Sequence, residues 1–419
     1  MRNSQSLLIV ACASLLAATI SCDKDVYDPE EYKKIVDFLS PVDSVDQSHT
    51  WKLDTVYQLR VSADVNIGAK NLLILSHDPT SHSSEIMAKT YISDGETVDL
   101  SYSVPYLSET LCAALVDANG KYTLMPFKAG ERELRFSEAG REPITVYTKL
   151  GLQTFTYCFD ESFPVPDDYD YNDLVLRISH ERTGESQISL HVELAAVGAE
   201  KQLAAAIRFV GYKAQDIESI TTKDGKSFNN DIPSLSVDMI ESSDVPVSGR
   251  NGEAVLNLFE DAHWAMDSRE DVEYGIFKRK KFNVSTGSGS DYQQMAPLSV
   301  TYIVNFKNGS KLNHFTFETL DPFILEDYNG SIWEVHTCKY IMAQTLYEYP
   351  ASEIKNLPWA FEIPKADFRY PLEGVNMGFK KRSTTFGAYM TADHSFGDWS
   401  ENHTKATDWY LYPTINQVY

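Results

Sequence analysis

The chain has 419 residues, 43% of them hydrophobic and 23% charged, with a formal net charge of −23. Such a length exceeds what one core usually serves, so two to three domains are expected. The acidic balance repels phosphates, so no nucleic-acid partner is expected.

Arg2 and the apolar run Leu7–Ile20 read as a signal peptide over residues 1–21. The run is too short to span a bilayer comfortably. It ends in Thr19-Ile20-Ser21-Cys22, a small residue followed at once by Cys, with Thr19 where a lipobox usually has Leu. The thiol of Cys22 is the expected lipidation site and the membrane the expected partner. Removing residues 1–21 takes away Arg2 and no acid, so the net charge goes from −23 to −24. No later segment is apolar for long enough to form a transmembrane helix.

Residues 22–50 read as a polar tether with a short helix over 28–38. Asp28 suits the N-cap, Pro29 the first turn, and Glu30 and Glu31 the positive end of the helix dipole. Asp43-Ser44-Val45 and Asp54-Thr55-Val56 match a short O-glycosylation pattern.

Over 51–148 the hydrophobic period is two. Tyr57, Leu59, Val61, Ala63 and Val65 alternate with polar residues, as do Val98, Leu100, Tyr102 and Val104. Each is a strand with one buried face. Asn119-Gly120 between apolar runs predicts a hairpin with a type I′ turn. The expected unit is a small β-sandwich.

From 150 to 415 the same period returns in Phe155, Tyr157 and Phe159, in Ile188 to Leu194, and in Val300 to Phe306. Asn308-Gly309 predicts a turn into Phe315 and Phe317, and Leu256 to Met266 a short helix. The expected fold class is all-β and mostly antiparallel, this second part being a larger, decorated, jelly-roll-like sandwich. Cys112, Cys158 and Cys338 lie in apolar, strand-like contexts and are expected as buried thiols.

One loop concentrates oxygen ligands. Asp168, Asp170 and Asn172 stand at i, i+2 and i+4, with Asp160 before them and Asp173 after. In a curled loop this spacing turns alternate oxygens toward one centre, as a hard cation such as Ca²⁺ requires. The loop is no EF-hand: its sixth position from Asp168 is Asp173 and its twelfth Ser179. A second reading stays open, an acidic surface turn whose side chains bond their own backbone.

Asp170-Tyr171-Asn172-Asp173-Leu174-Val175 resembles the hallmark of the LruC-domain lipoproteins of gut-type Gram-negative bacteria. The resemblance continues through Asp321-Pro322-Phe323-Ile324, Trp333-Glu334-Val335-His336, Pro358 to Pro364, Phe368 to Glu373, Trp399 and Trp409-Tyr410, and so covers about residues 154–413. Where that family often has an Arg-rich pair, this chain has Ser331-Ile332-Trp333. The resemblance implies a cell-envelope address and a β-rich fold, and no reaction.

No catalytic constellation is spelled out. There is no zinc-spaced His pair, Gly-x-Ser-x-Gly elbow or phosphate loop. His191, His263 and His336 are expected to be structural, with Glu334 and His336 on one strand face. Trp359, Trp399, Trp409, Tyr410 and Tyr412 fit either a core or a sugar-stacking surface. The expectation is a non-enzymatic lipoprotein, outer-membrane by address, with a structural Ca²⁺ and a protein or glycan partner at the cell surface. Its rival is a carbohydrate-binding or carbohydrate-active protein.

Overall fold

Alternation along β1 (Asp54–Asp64) puts Leu59, Val61 and Ala63 on one face, and that face is buried. The computed structural model describes residues 45–46, 48–137, 142–161, 163, 168–228, 252–267, 280–287, 291–328, 331–337, 357–379 and 387–419. The signal peptide, Cys22, the helix expected over 28–38, Asp43-Ser44 and Cys338 lie outside them.

The other early strands are β2 (Ala69–Leu75), β3 (Glu85–Tyr91), β4 (Thr97–Pro105), β5 (Thr110–Asp117), β6 (Tyr122–Lys128), β7 (Glu133–Ser137) and β8 (Gly151–Leu152). They form two sheets, ordered β4-β1-β7 and β6-β5-β2-β3-β8. Leu59, Val61, Leu100, Tyr102 and Phe136 from the first meet Leu72, Ile74, Leu115 and Phe127 from the second in one core. β7 joins β1 in parallel, while β1 and β4 are antiparallel.

A six-stranded sheet follows, built from β9 (Thr154–Phe159), β10 (Leu174–Gly184), β11 (Gln187–Ala196), β13 (Ile217–Thr222), β17 (Leu298–Phe306) and β20 (Ala360–Ile363) in the order β13-β17-β11-β10-β9-β20. A four-stranded sheet, β14-β12-β18-β19, uses β12 (Leu203–Lys213), β14 (Glu253–Phe259), β18 (Leu320–Tyr328) and β19 (Ser331–His336), and β15 (Lys281–Phe282) pairs in parallel with β16 (Tyr292–Gln293). Phe155 stacks on Phe317 at 3.9 Å, and Phe306, Phe315 and Phe209 carry the aromatic contact toward β12. The architecture is all-β, with antiparallel sheets and few helices, as the patterning predicts.

The six-stranded sheet buries its other face too. Cys158, Val175 and Phe361 pack with Tyr389, Phe396, Trp399 and Trp409 of the C-terminal segment. Among its described residues this segment carries one α-helix, Phe396–Glu401, N-capped by Ser395. Trp51 and Leu53 insert into the same core. Among the described residues, no helix is long and apolar enough to cross a membrane.

Four local expectations are corrected. The β5–β6 hairpin is present, but Gly120 alone has positive φ, at 73°. Asp117 closes a longer turn by accepting the N–H groups of Asn119 and Lys121, so no type I′ geometry is needed. Residues 253–259 are a strand, because they pair with β12; the helix is confined to Ala262–Met266, capped by Asp261. Asn308 caps a 3-10 helix over Gly309–His314, its side chain accepting from Ser310 N. Asp54 is buried at the start of β1, so Asp54-Thr55-Val56 is not an exposed acceptor on a tether.

Candidate metal centre

The acidic loop joins β9 to β10, and its curl comes from backbone conformation. Tyr169 and Tyr171 both have positive φ, at 60° and 54°, a region that non-glycine residues seldom occupy. Both rings are buried in the C-terminal core. The Tyr171 hydroxyl donates to Pro358 O at 2.7 Å, and Tyr169 O accepts from Met377 N at 3.1 Å. Two anchored aromatics alternate along the loop with the acids.

Asp160, Asp168 and Asp170 each bring a carboxylate oxygen to within 4.8 Å of the others. Asp160 and Asp170 are buried, and Asp168 is half-buried. This is the spacing of ligands around a Ca²⁺ ion, whose bonds are about 2.3–2.6 Å, so opposite oxygens stand about 5 Å apart. Asn172, fully buried, has an Oδ1 with no hydrogen-bond partner, while its Nδ2 donates to Pro371 O at 3.2 Å. An orphaned buried amide oxygen costs free energy unless it has a donor or a cation. Asp173 is turned to other work: its Oδ2 accepts from Glu161 N at 2.6 Å.

Asp170 is fixed from two sides, Oδ1 accepting from Asn172 N at 3.1 Å and Oδ2 from Gly374 N at 2.8 Å. Burial pushes its carboxyl well above the usual range, the charges of Asp168 and Glu373 add to that, and the two N–H groups oppose it. Asp173 is raised well above its usual range by burial first, then by Glu161, Asp170, Asp160 and Asp168. The group therefore resists carrying all its charges together, and a bound cation relieves the repulsion.

Several partners escape sequence reasoning. Gly198 N donates to the carbonyls of Asn172 and Asp173. Glu161 accepts from Glu200 N and Lys201 N, tying the β11–β12 connection to the same place. Lys281 pairs with Glu373. Except for Glu161, which follows Asp160, they lie far along the chain from the loop; only Glu373 falls within a motif singled out above.

The remaining candidates fall elsewhere. His336 Nδ1 meets Asp321 Oδ2 at 2.9 Å and its Nε2 meets Glu334 at 3.1 Å, and Arg208 reaches the same Asp321 oxygen at 2.8 Å. Burial favours neutral His336, but the two carboxylates outweigh it and raise its pKa to about 9. His263 Nε2 bonds Ala199 O, and His191 bonds Thr301. A second acid cluster, Asp54, Glu318 and Glu362, has Lys52 on Glu318 at 2.7 Å. Trp399, Trp409 and Tyr410 fill the core and present no stacking surface to a sugar; Tyr412 is exposed and stacks on His394. Cys112 and Cys158 are buried thiols.

A family model described as a domain of unknown function, DUF4842, matches residues 186–410. No curated protein sequence matches the chain. Among solved structures it is similar to a candidate lipoprotein from Bacteroides ovatus, with 13% identity over 84% of this chain and 99% of that one, at a TM-score of 0.49. It is also similar to the full-length major pilin SpaD from Corynebacterium diphtheriae, with 10% identity over 84% and 85% of the two chains, at a TM-score of 0.14. Neither score carries a conclusion.

Proposed function

The chain belongs to the DUF4842 family, and on that premise we propose a lipid-anchored cell-envelope protein of the LruC type whose acidic loop holds a structural Ca²⁺. The anchor is Cys22 and the address the outer membrane. The β-domains act as a non-enzymatic binding, adhesion or scaffold module toward a protein or glycan at the cell surface. The export signal and the all-β build support this reading, and the buried aromatics weigh against a sugar platform.

The observation that carries the cation is the convergence of Asp160, Asp168 and Asp170; the orphaned Asn172 oxygen lies on the same loop, against Gly198. The ion's work is mechanical. It neutralises buried acids at the head of β10 and holds the curl that carries Tyr169 and Tyr171 into the core. Gly374 is tied to the same carboxylate, so the site joins the loop to the C-terminal segment.

Melting in millimolar Ca²⁺ and in chelator tests the site. At ten times Kd the ion adds about 1.4 kcal/mol to the native protein, and Asp168→Asn removes the difference. Asp168 is the half-buried ligand, so its loss perturbs packing least. Identical melting of the native protein with and without Ca²⁺ means that the loop is an acidic turn.

A further inference from the structure

The segment ahead of β1 is not a plain tether. Residues 48–53, with Val45 and Asp46, lie against the C-terminal core, and Val45, Trp51 and Leu53 are buried there. His49 sits between Trp51, stacked at 3.9 Å, and Trp399, edge-on at 4.5 Å. Its Nε2 donates to Trp399 O at 2.9 Å, and its Nδ1 accepts from Trp51 N at 3.0 Å. A ring that donates from one nitrogen and accepts at the other is neutral imidazole. Trp51 is held at φ 57° by these contacts. Asp46 adds a latch, pairing with His403 Nδ1 at 2.5 Å and with Ser48.

We propose that residues 48–53 form an acid-released strap, held on the C-terminal core by His49 in its neutral form. Protonating Nδ1 turns the acceptor into a donor facing the Trp51 N–H, so the bond is lost and a charge is left between two indoles. The charged groups acting on His49 are Asp46, just ahead of the strap, and His403, from the loop after the helix; the helix contributes the Trp399 ring and carbonyl. Burial, the largest influence, holds His49 down to about 4 from 6.5. A depressed histidine destabilises the closed state as pH falls below 6.5, and the effect grows until about 4. Release frees up to about 20 Å of chain ahead of β1. If Cys22 is the anchor, as proposed above, acid changes how far the sheets reach from the membrane; the strap itself does not depend on the anchor.

Hydrogen exchange of residues 48–53 in the full chain, corrected for intrinsic rates, tests this at pH 7 and pH 5. The opening constant should rise about 20-fold, the ratio expected for a group moving between 6.5 and 4. His49→Asn keeps an acceptor for Trp51 N–H and cannot titrate, so its opening should not change with pH. No rise in the native chain, or an equal rise in His49→Asn, overturns the proposal. Should His49→Asn leave the strap open at pH 7, His403→Asn decides: the rise must persist without that second imidazole, and its loss there overturns the assignment to His49.

Discussion

Gly198 shows how narrowly single residues set the candidate centre. A methyl group on its Cα would stand 2.0 Å from Asn172 Oδ1 and 2.8 Å from Asn172 O. Asn172 is fully buried and has nowhere to retreat. Gly198→Ala should therefore cost about 1–3 kcal/mol, the range for overpacking, and weaken Ca²⁺ binding in a calorimetric titration; unchanged melting and affinity would show that the loop yields freely. His336 is the other residue whose chemistry reaches stability. Its pKa is raised from 6.5 to about 9 between Asp321 and Glu334. Protonated His336 binds its proton more tightly when folded, so this stability is present in full below 6.5 and is lost as pH rises through 9. The loss is on the order of 3 kcal/mol. Urea midpoints at pH 6 and pH 9.5 should differ accordingly. His336→Gln should be less stable at pH 6 and flatter across the range; an equally steep fall in that variant assigns the pH dependence to another group.

Among elements, the C-terminal segment is the least regular and among the most tightly packed. Among its described residues it contains one short strand, one short α-helix and a 3-10 turn, yet Trp409 is fully buried with Phe368, Tyr389, Phe396 and Trp399 around it. Aromatic burial holds this segment where hydrogen-bonded ladders do not. Trp409→Ala should cost about 3–5 kcal/mol, read as a lower denaturation midpoint, with Trp409→Phe recovering much of it. A small loss from Trp409→Ala would mean that the segment adds little to the fold. The loop between β9 and β10 is the opposite case, its shape set by two left-handed tyrosines. It therefore depends on the C-terminal segment that receives those rings.

For the whole molecule, charge and the proposed anchoring pull in opposite directions. A chain of net charge −24 without residues 1–21 gains nothing electrostatically from an anionic bilayer. On the proposed reading, membrane retention rests on the lipid at Cys22. Cys22→Ala should move the protein from the membrane fraction to the soluble fraction at every salt concentration. Retention of the variant that washes off in high salt would instead identify a protein partner.

Much of the fold was legible locally. Period-two alternation in Leu59-Val61-Ala63 or Phe155-Tyr157-Phe159 records which face is buried, and a strand needs no distant information to display it. The nearness of Asp168 and Asp170, at i and i+2, could likewise be read in place, because a curled loop keeps near neighbours near. Turns were less legible: Asn119-Gly120 and Asn308-Gly309 share a dipeptide, and the surrounding chain decided between a hairpin and a 3-10 helix. Tertiary structure alone decided that Asp173 serves Glu161, that Gly374 holds Asp170, that Arg208 meets Asp321, and that Trp51 belongs with Trp399. Each of those pairings depends on sheet register and packing between residues far apart in the chain. Hydrophobic alternation specifies which side of a strand is buried, but not which distant segment will cover it.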